Sequence, residues 1–202
     1  MSVVYRKLAV SRRFFLRGTG AAAGGVALLG EARVAAAAAT PEMSGPGSVP
    51  LHLNVNGRDT VIDVEPRATL AEVLRGPLDL TGTKIGCDRG SCSACTVWLD
   101  GAPVASCMLL AIDVGARAVT TIEGLAHGDT LHPVQEAFIA HDAMQCGYCT
   151  PGMVMSCAAL LERMPQPTTQ DIQTAISGHL CRCGSYSHIV EAVLAASQTR
   201  KA

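Results

Sequence analysis

Cys87-Asp-Arg-Gly-Ser-Cys92-Ser-Ala-Cys95, with Cys107 twelve residues on, is the stretch on which the reading of this chain turns. Its C-x4-C-x2-C…C order is a known ligand order for a [2Fe–2S] cluster. A second set follows: Cys146-Gly-Tyr-Cys149, then Cys181-Arg-Cys183. Four thiolates serve one [2Fe–2S] cluster, so eight of the nine cysteines provide for two. Two one-electron carriers in one small chain suggest a relay.

Other uses of eight cysteines fit less well. Structural zinc commonly takes two C-x2-C-like pairs. Here Cys181-x-Cys183 is tighter than that and the four-residue gap of the first set is looser. Disulfides suit an exported chain, but nine is an odd number of cysteines. A Rieske centre needs two histidine ligands, and none of the six histidines forms a Cys-x-His pair. A single [4Fe–4S] cluster in the second set is a variant of the iron–sulfur reading. Cys157, the ninth cysteine, falls on the apolar side of a helical pattern and reads as a small buried hydrophobe.

Working outward from Cys87, the pattern alternates strands and turns. Leu51 to Asn56 alternates apolar and polar residues, Asn56-Gly57 supplies a turn, and Val61 to Val64 returns as a strand. Thr69 to Arg75 reads as a short helix with Leu70, Val73 and Leu74 on one face. The glycines between Gly82 and Gly90 let that loop wrap closely and aim backbone N–H groups at sulfur. Arg89 and Lys84 beside it read as solvated. Cys95 to Leu99 is a strand, Asp100-Gly101 a hairpin turn, and Val104 to Leu110 a return strand carrying Cys107. Val119 to Ile122 is the last strand, and Trp98 reads as a core residue.

Past residue 125 the pattern becomes helical. One helix is capped at or near Thr130, has Pro133 in its first turn, and runs to about Ala143. A second begins at Thr150-Pro151, with Met153, Val154, Cys157, Leu160 and Leu161 at helical spacing. A third opens on Thr168 and Asp171 as a capping box and closes at Gly178. A fourth covers Ile189 to Ala196. Cys149 lies just before a helix N-terminus, where the macrodipole favours a thiolate. His127, His132, His141, His179 and His188 lie near helix ends and read as surface or capping residues.

Composition sets the bounds. The 202 residues carry a formal charge of −1, and 49% are hydrophobic. Residues 1–39 hold six basic and one acidic residue, which leaves ten basic and sixteen acidic for residues 40–202. An acidic body argues against nucleic-acid binding. Four aromatics lie beyond residue 40, so Ala, Val, Leu, Ile and Met must build the core, and metal binding would add folding free energy. No run reaches 18 apolar residues, which excludes a stable membrane span. Ser11-Arg-Arg-Phe-Phe-Leu-Arg17, a Gly/Ala-rich stretch and the small-residue run Val34 to Ala39 read as a twin-arginine signal peptide over 1–39, hence a periplasmic protein. A Sec signal or an amphipathic helix is the competing reading. Such an export route for folded proteins suits clusters built in the cytoplasm. The expected organisation is 1–39 signal, 40–50 linker, 51–125 first cluster domain, 126–202 helical cluster domain. The fold class is α+β.

Three ordered motifs carry a family resemblance: Gly86-Cys-Asp-Arg-Gly-Ser-Cys-Ser-Ala-Cys-Thr-Val97, Gln145-Cys-Gly-Tyr-Cys-Thr-Pro-Gly152 and Ser177-Gly-His-Leu-Cys-Arg-Cys-Gly184, with 31 residues between Cys149 and Cys181. Over about residues 50–196 the chain resembles the small iron–sulfur subunit of the molybdenum hydroxylases, the xanthine dehydrogenase and aldehyde oxidoreductase family. It looks most like the periplasmic aldehyde oxidoreductase type. The resemblance implies a β-grasp, plant-type ferredoxin-like domain followed by an all-α four-helix bundle. It implies that the cluster on Cys146, Cys149, Cys181 and Cys183 lies proximal to molybdenum and the one on Cys87, Cys92, Cys95 and Cys107 distal. It also implies that Gln145 contacts the pterin of a large molybdopterin-binding partner and that Cys183 approaches it. The outgoing acceptor is left open between an FAD-binding subunit, a cytochrome c and another carrier.

This sequence departs from the family at Ser93, where Gly is common, at Ser91, where Gly or Gln is, and at His179, where Asn is. The serines would alter hydrogen bonding to the sulfurs. The chain shows no base or nucleophile constellation, so the resemblance assigns it electron transfer and no catalytic residue; substrate chemistry, on an aldehyde or N-heterocycle, would lie in the partner. The rival readings are a free-standing exported ferredoxin-like carrier and a cysteine-rich module without iron.

Overall fold

The structure, a computed structural model, describes residues 45 and 47–199. The expected signal at 1–39 and most of the 40–50 linker lie outside the described residues. β1 (Val49–Val55) and β2 (Arg58–Val64) form an antiparallel hairpin. Asn56 and Gly57 turn it, both with positive φ. The hairpin begins two residues earlier than the alternation of Leu51 to Asn56 suggests, inside the expected linker. α1 (Leu70–Arg75) follows, opened by a reciprocal box in which Thr69 accepts from the Glu72 amide and Glu72 from the Thr69 amide. β3 (Thr96–Leu99) and β4 (Ala102–Ala105) form the second hairpin, and β5 (Ala118–Thr120) closes the sheet.

The sheet order is β2-β1-β5-β3-β4. β1 and β5 run parallel at its centre and every other pair is antiparallel. Leu51, Leu53, Val55, Val97, Leu99 and Val119 leave the sheet on one face and meet Leu70, Val73 and Leu74 of α1. A helix gripped by a mixed sheet with a parallel central pair is the expected β-grasp arrangement.

The second half packs α2 (Pro133–Ala140), α3 (Thr150–Arg163), α4 (Thr169–Ile176) and α5 (Tyr186–Thr199). α2 lies on α5, α3 on α2 and α4, and α4 on α5. α3 is the axis of the bundle: every residue from Gly152 to Leu161 is buried. Its apolar positions were legible as one stripe; the small residues Ser156, Ala158 and Ala159 bury the remaining sides. Phe138, Ile172, Ile189 and Val193 complete the core. No helix among the described residues is long and apolar enough to cross a membrane.

Four local expectations need correction. The return strand of the second hairpin ends at Ala105, and Cys107 sits in a 3-10 turn, Ser106–Met108. The last strand stops at Thr120, because Ile122 to Gly124 form another such turn. α2 ends at Ala140 and its cap is His132, whose Nδ1 accepts from the Val134 amide at 3.2 Å. α5 extends beyond the expected range at both ends, whereas α4 runs through Ile176 and stops before Gly178 as expected. Thr168 and Asp171 do form the expected reciprocal cap of α4.

Candidate metal centre

The first thiol set is built from loop and sheet together. Cys87 and Cys92 lie on the loop after α1, Cys95 one residue before β3, and Cys107 on the turn after β4. Tethering β4 to Cys95 are the Ser106 amide, bonded to the Cys95 carbonyl at 3.4 Å, and the Ser106 hydroxyl, at 2.7 Å. Within the set the thiols act on one another's acidity in pairs, Cys92 on Cys87 and Cys95 on Cys107. Backbone amides point at them, Ser91 N–H to Cys87 Sγ at 3.2 Å and Gly90 N–H to Cys107 Sγ at 3.4 Å. The expectation that this glycine-containing loop directs N–H groups at sulfur is met. Asp88 and Gly90 reach the needed curvature with positive φ.

In the second set Cys146 and Cys149 precede α3, while Cys181 and Cys183 lie between α4 and α5. Cys181 and Cys146 both act to raise the pKa of Cys149, behind its burial. The Tyr186 hydroxyl fastens the approach to Cys181: it accepts from the Cys181 amide at 2.8 Å and donates to the His179 carbonyl at 3.0 Å.

The thiols differ in acidity. The Arg89 amide, ahead of smaller effects, brings Cys87 down to about 7. Burial pushes Cys107 up to about 11 and Cys149 up to about 12. For Cys149 this reverses the macrodipole expectation: removing the sulfur from water outweighs the partial charge of the helix end. At Cys181 burial acts upward too, but the Ser185 amide, the Cys149 thiol and the Gly184 and Cys183 amides together hold it below the usual range.

All nine cysteines are free thiols. Among the described residues no three His, Cys, Asp or Glu side chains gather in the manner of a mononuclear metal site. Paired soft donors with N–H groups directed at sulfur suit a binuclear iron–sulfur group, whose ligands divide between two irons. The residues present fit that group.

Other candidate residues fall as follows. Gln145 and Cys146 are exposed, and Cys183 is half-buried. Arg89 is exposed; Lys84 is half-buried and donates to the Thr81 carbonyl. Cys157 is fully buried, as expected, with its thiol pushed up to about 12. Trp98 is half-buried and packs toward the bundle, its Nε1 donating to the Met155 carbonyl at 2.8 Å. His179, which reads in sequence as a surface or capping residue, is buried at 4% exposure. Its Nε2 meets Ser156 Oγ at 2.7 Å, its Nδ1 is buried without a partner among the described residues, and burial brings the imidazole down to about 4. Ser93 Oγ does not turn to sulfur: it donates to the Gly178 carbonyl at 3.1 Å. Ser91 affects sulfur through its amide, while its hydroxyl bonds the Arg89 carbonyl.

Fold and site together define a two-centre iron–sulfur protein, a β-grasp domain in series with a helical one. The comparisons agree. The 2Fe-2S iron-sulfur cluster binding domain matches residues 53–117, and the [2Fe-2S] binding domain matches residues 121–194. The chain is 49% identical over 146 residues to the nicotine 6-hydroxylase small subunit of Paenarthrobacter nicotinovorans, covering 72% of this chain and 88% of that one. It is 39% identical over 203 residues to the aldehyde oxidoreductase iron-sulfur-binding subunit PaoA of Escherichia coli (strain K12), covering 92% and 87%. Quinoline 2-oxidoreductase from Pseudomonas putida 86 has a chain that superposes with a TM-score of 0.74 at 39% identity, covering 77% of this chain and 97% of that one. The chain belongs to the family of small iron–sulfur subunits of the molybdenum hydroxylases.

Proposed function

We propose that this chain is the electron relay of a heteromeric molybdenum hydroxylase, with Cys87, Cys92, Cys95 and Cys107 holding one [2Fe–2S] cluster and Cys146, Cys149, Cys181 and Cys183 the other. When bound, each cluster supplies a one-electron carrier, so the pair converts a two-electron oxidation in a partner into single transfers to an acceptor. The observation that carries this reading is the meeting of the two thiol sets at one seam. The Leu180 amide, next to Cys181, donates to the carbonyl of Cys92 at 3.2 Å.

The chain's own residues do three things there. They present thiolates, they aim amides at the sulfurs, and they keep the ligand loops in register. In this reading the helical loop faces a large molybdopterin-binding subunit, with Gln145 and Cys183 toward the pterin; the exposure of Gln145 and Cys146 supports it. The first set then faces the outgoing acceptor, an FAD-binding subunit or a cytochrome c. A related chain described as a small subunit supports a partner over a free-standing carrier.

Export by the twin-arginine route to the periplasm is part of the same proposal. Arg12-Arg13 and the small-residue run supply its signal. The alignment to PaoA also spans 92% of the chain, more than residues 43–202 alone, which are about four fifths of it. Replacing Arg12 and Arg13 by Lys should leave the protein in the cytoplasm, read by fractionation; periplasmic recovery of that variant would exclude this route.

The direct test is EPR of the dithionite-reduced, natively purified protein, with spins counted per chain. Two distinguishable signals are expected, and Cys146→Ala should lose one of them. A folded, colourless protein without iron would overturn the reading.

A further inference from the structure

Two hydroxyl groups cross the seam in opposite directions. Ser93, next to Cys92, donates to the carbonyl of Gly178 in the helical domain at 3.1 Å. Tyr148, next to Cys149, donates to the carbonyl of Ile85 in the β-grasp domain at 2.6 Å. Each donor neighbours a cysteine of its own set. Each acceptor lies two or three residues ahead of a cysteine of the other set, Cys87 or Cys181. Between them runs the Leu180 amide to Cys92 carbonyl bond.

We propose that Ser93 and Tyr148 are positioning residues, a pair of hydroxyl latches that hold the two ligand loops in fixed register across the seam. The inference rests on the reading that each loop carries a cluster. Ser93 holds φ +56°, a left-handed conformation that L residues other than Asn and Asp rarely adopt and that glycine adopts freely. Glycine would serve the turn at no steric cost, but it has no hydroxyl. The serine accepts a strained backbone where its side chain gains a partner in the other domain. Gly178 offers a bare backbone to it: a Cβ there would stand 3.4 Å from Ser93 Oγ.

Gly152 packs against the backbone of Ser93 and Ala94, but packing is thin at the latch residues themselves. Tyr148 is 50% exposed, and Gly178 and Leu180 are exposed too. The Tyr148 ring leans over Gly86, 3.8 Å from where a Cβ of that glycine would lie, and its hydroxyl completes the reach. A ring without the hydroxyl would keep the contact and lose the anchor.

The test uses the full chain in its native complex, with Ser93→Ala, Ser93→Gly, Tyr148→Phe and the Ser93→Gly/Tyr148→Phe double variant. Amide exchange at Leu180 should quicken about fivefold in each single variant and about twenty-fivefold in the double, the factors that one and two ordinary hydrogen bonds supply. Ser93→Gly separates latching from folding. It relieves the positive φ, so global stability should hold or rise while exchange at Leu180 still quickens. In the reduced protein, the magnetic interaction between the two clusters should spread over a wider range in the double variant, while each cluster keeps its own g values. Unchanged exchange at Leu180 together with an unchanged cluster–cluster interaction would overturn the latch. Absence of iron signals from the unaltered protein would overturn the functional reading, and the exchange measurement would still decide the latch.

Discussion

His179 and Ser156 show how a single buried polar pair is held. The imidazole is out of water, and its one side-chain partner is Ser156 Oγ, on the central helix α3. Ser156→Ala would leave both ring nitrogens without a side-chain partner in a site that excludes water. An unsatisfied buried group costs about 1–3 kcal/mol, so the midpoint of chemical denaturation should fall accordingly. An unchanged midpoint would mean that water reaches the ring. Nothing in the sequence marked this histidine as buried. It follows the end of α4 on a connecting segment, where helical periodicity gives no inside or outside. Cys157 was legible because it falls on that periodicity. With its thiol at about 12 and no exposure, it should resist alkylation of the folded apoprotein at neutral pH while Cys87, at about 7, reacts. Mass spectrometry of labelled peptides reads the difference, and labelling of Cys157 in step with Cys87 would refute it.

At the scale of elements, caps were read where the residue type is specific and missed where it is not. Thr168 and Asp171 match a capping pattern and form it: the Asp171 carboxylate accepts from the Thr168 amide at 2.8 Å and from its hydroxyl at 2.6 Å. Those bonds, the hydroxyl first, hold the Asp171 carboxyl below its usual range. A lowered carboxyl pKa adds stability above the unfolded value and loses it as pH falls through the folded value. Thr168→Ala should cost roughly 1 kcal/mol at neutral pH, and its deficit should shrink in acid as the cap weakens in the parent too. A deficit that grows toward low pH would contradict this account. The α2 cap is a histidine, outside the usual Ser, Thr, Asp and Asn set, so Thr130 was the natural expectation. Cys107 reads as part of a strand because Val104 to Leu110 is apolar but for Ser106; that pattern cannot show that the chain leaves the ladder after Ala105 to bring a sulfur beside Cys95.

Over the whole molecule, the cysteine spacings and the change from period-two to helical patterning pointed to two domains with one four-cysteine set in each, and two domain models match in that order. The seam between them was not legible, because it depends on close approach and not on hydrophobic pattern. α3 packs on β3 and β4. Trp98, on β3, reads in sequence simply as a core residue; the core it packs against is the bundle's, and its Nε1 donates to the Met155 carbonyl. Gly152 sits where a Cβ would lie 2.3 Å from the Ser93 carbonyl oxygen and 3.1 Å from that of Ala94. Those atoms are backbone and belong to the segment between Cys92 and Cys95, so they cannot rotate aside. Gly152 is in the first turn of α3, where alanine would otherwise be favoured over glycine by up to about 1 kcal/mol. Local propensity and the seam therefore predict opposite signs for Gly152→Ala. If α3 merely lay near the β-grasp domain, the variant would be more stable than the parent. With the contact as observed, the helix must withdraw or the ligand loop must shift, at an overpacking cost of typically 1–3 kcal/mol. We expect lower thermal stability and a disturbed EPR signal from the Cys87 set, although Gly152 lies 45 or more residues from every cysteine of that set in sequence. A stabilised variant with both signals unaltered would show that the two domains do not share this interface.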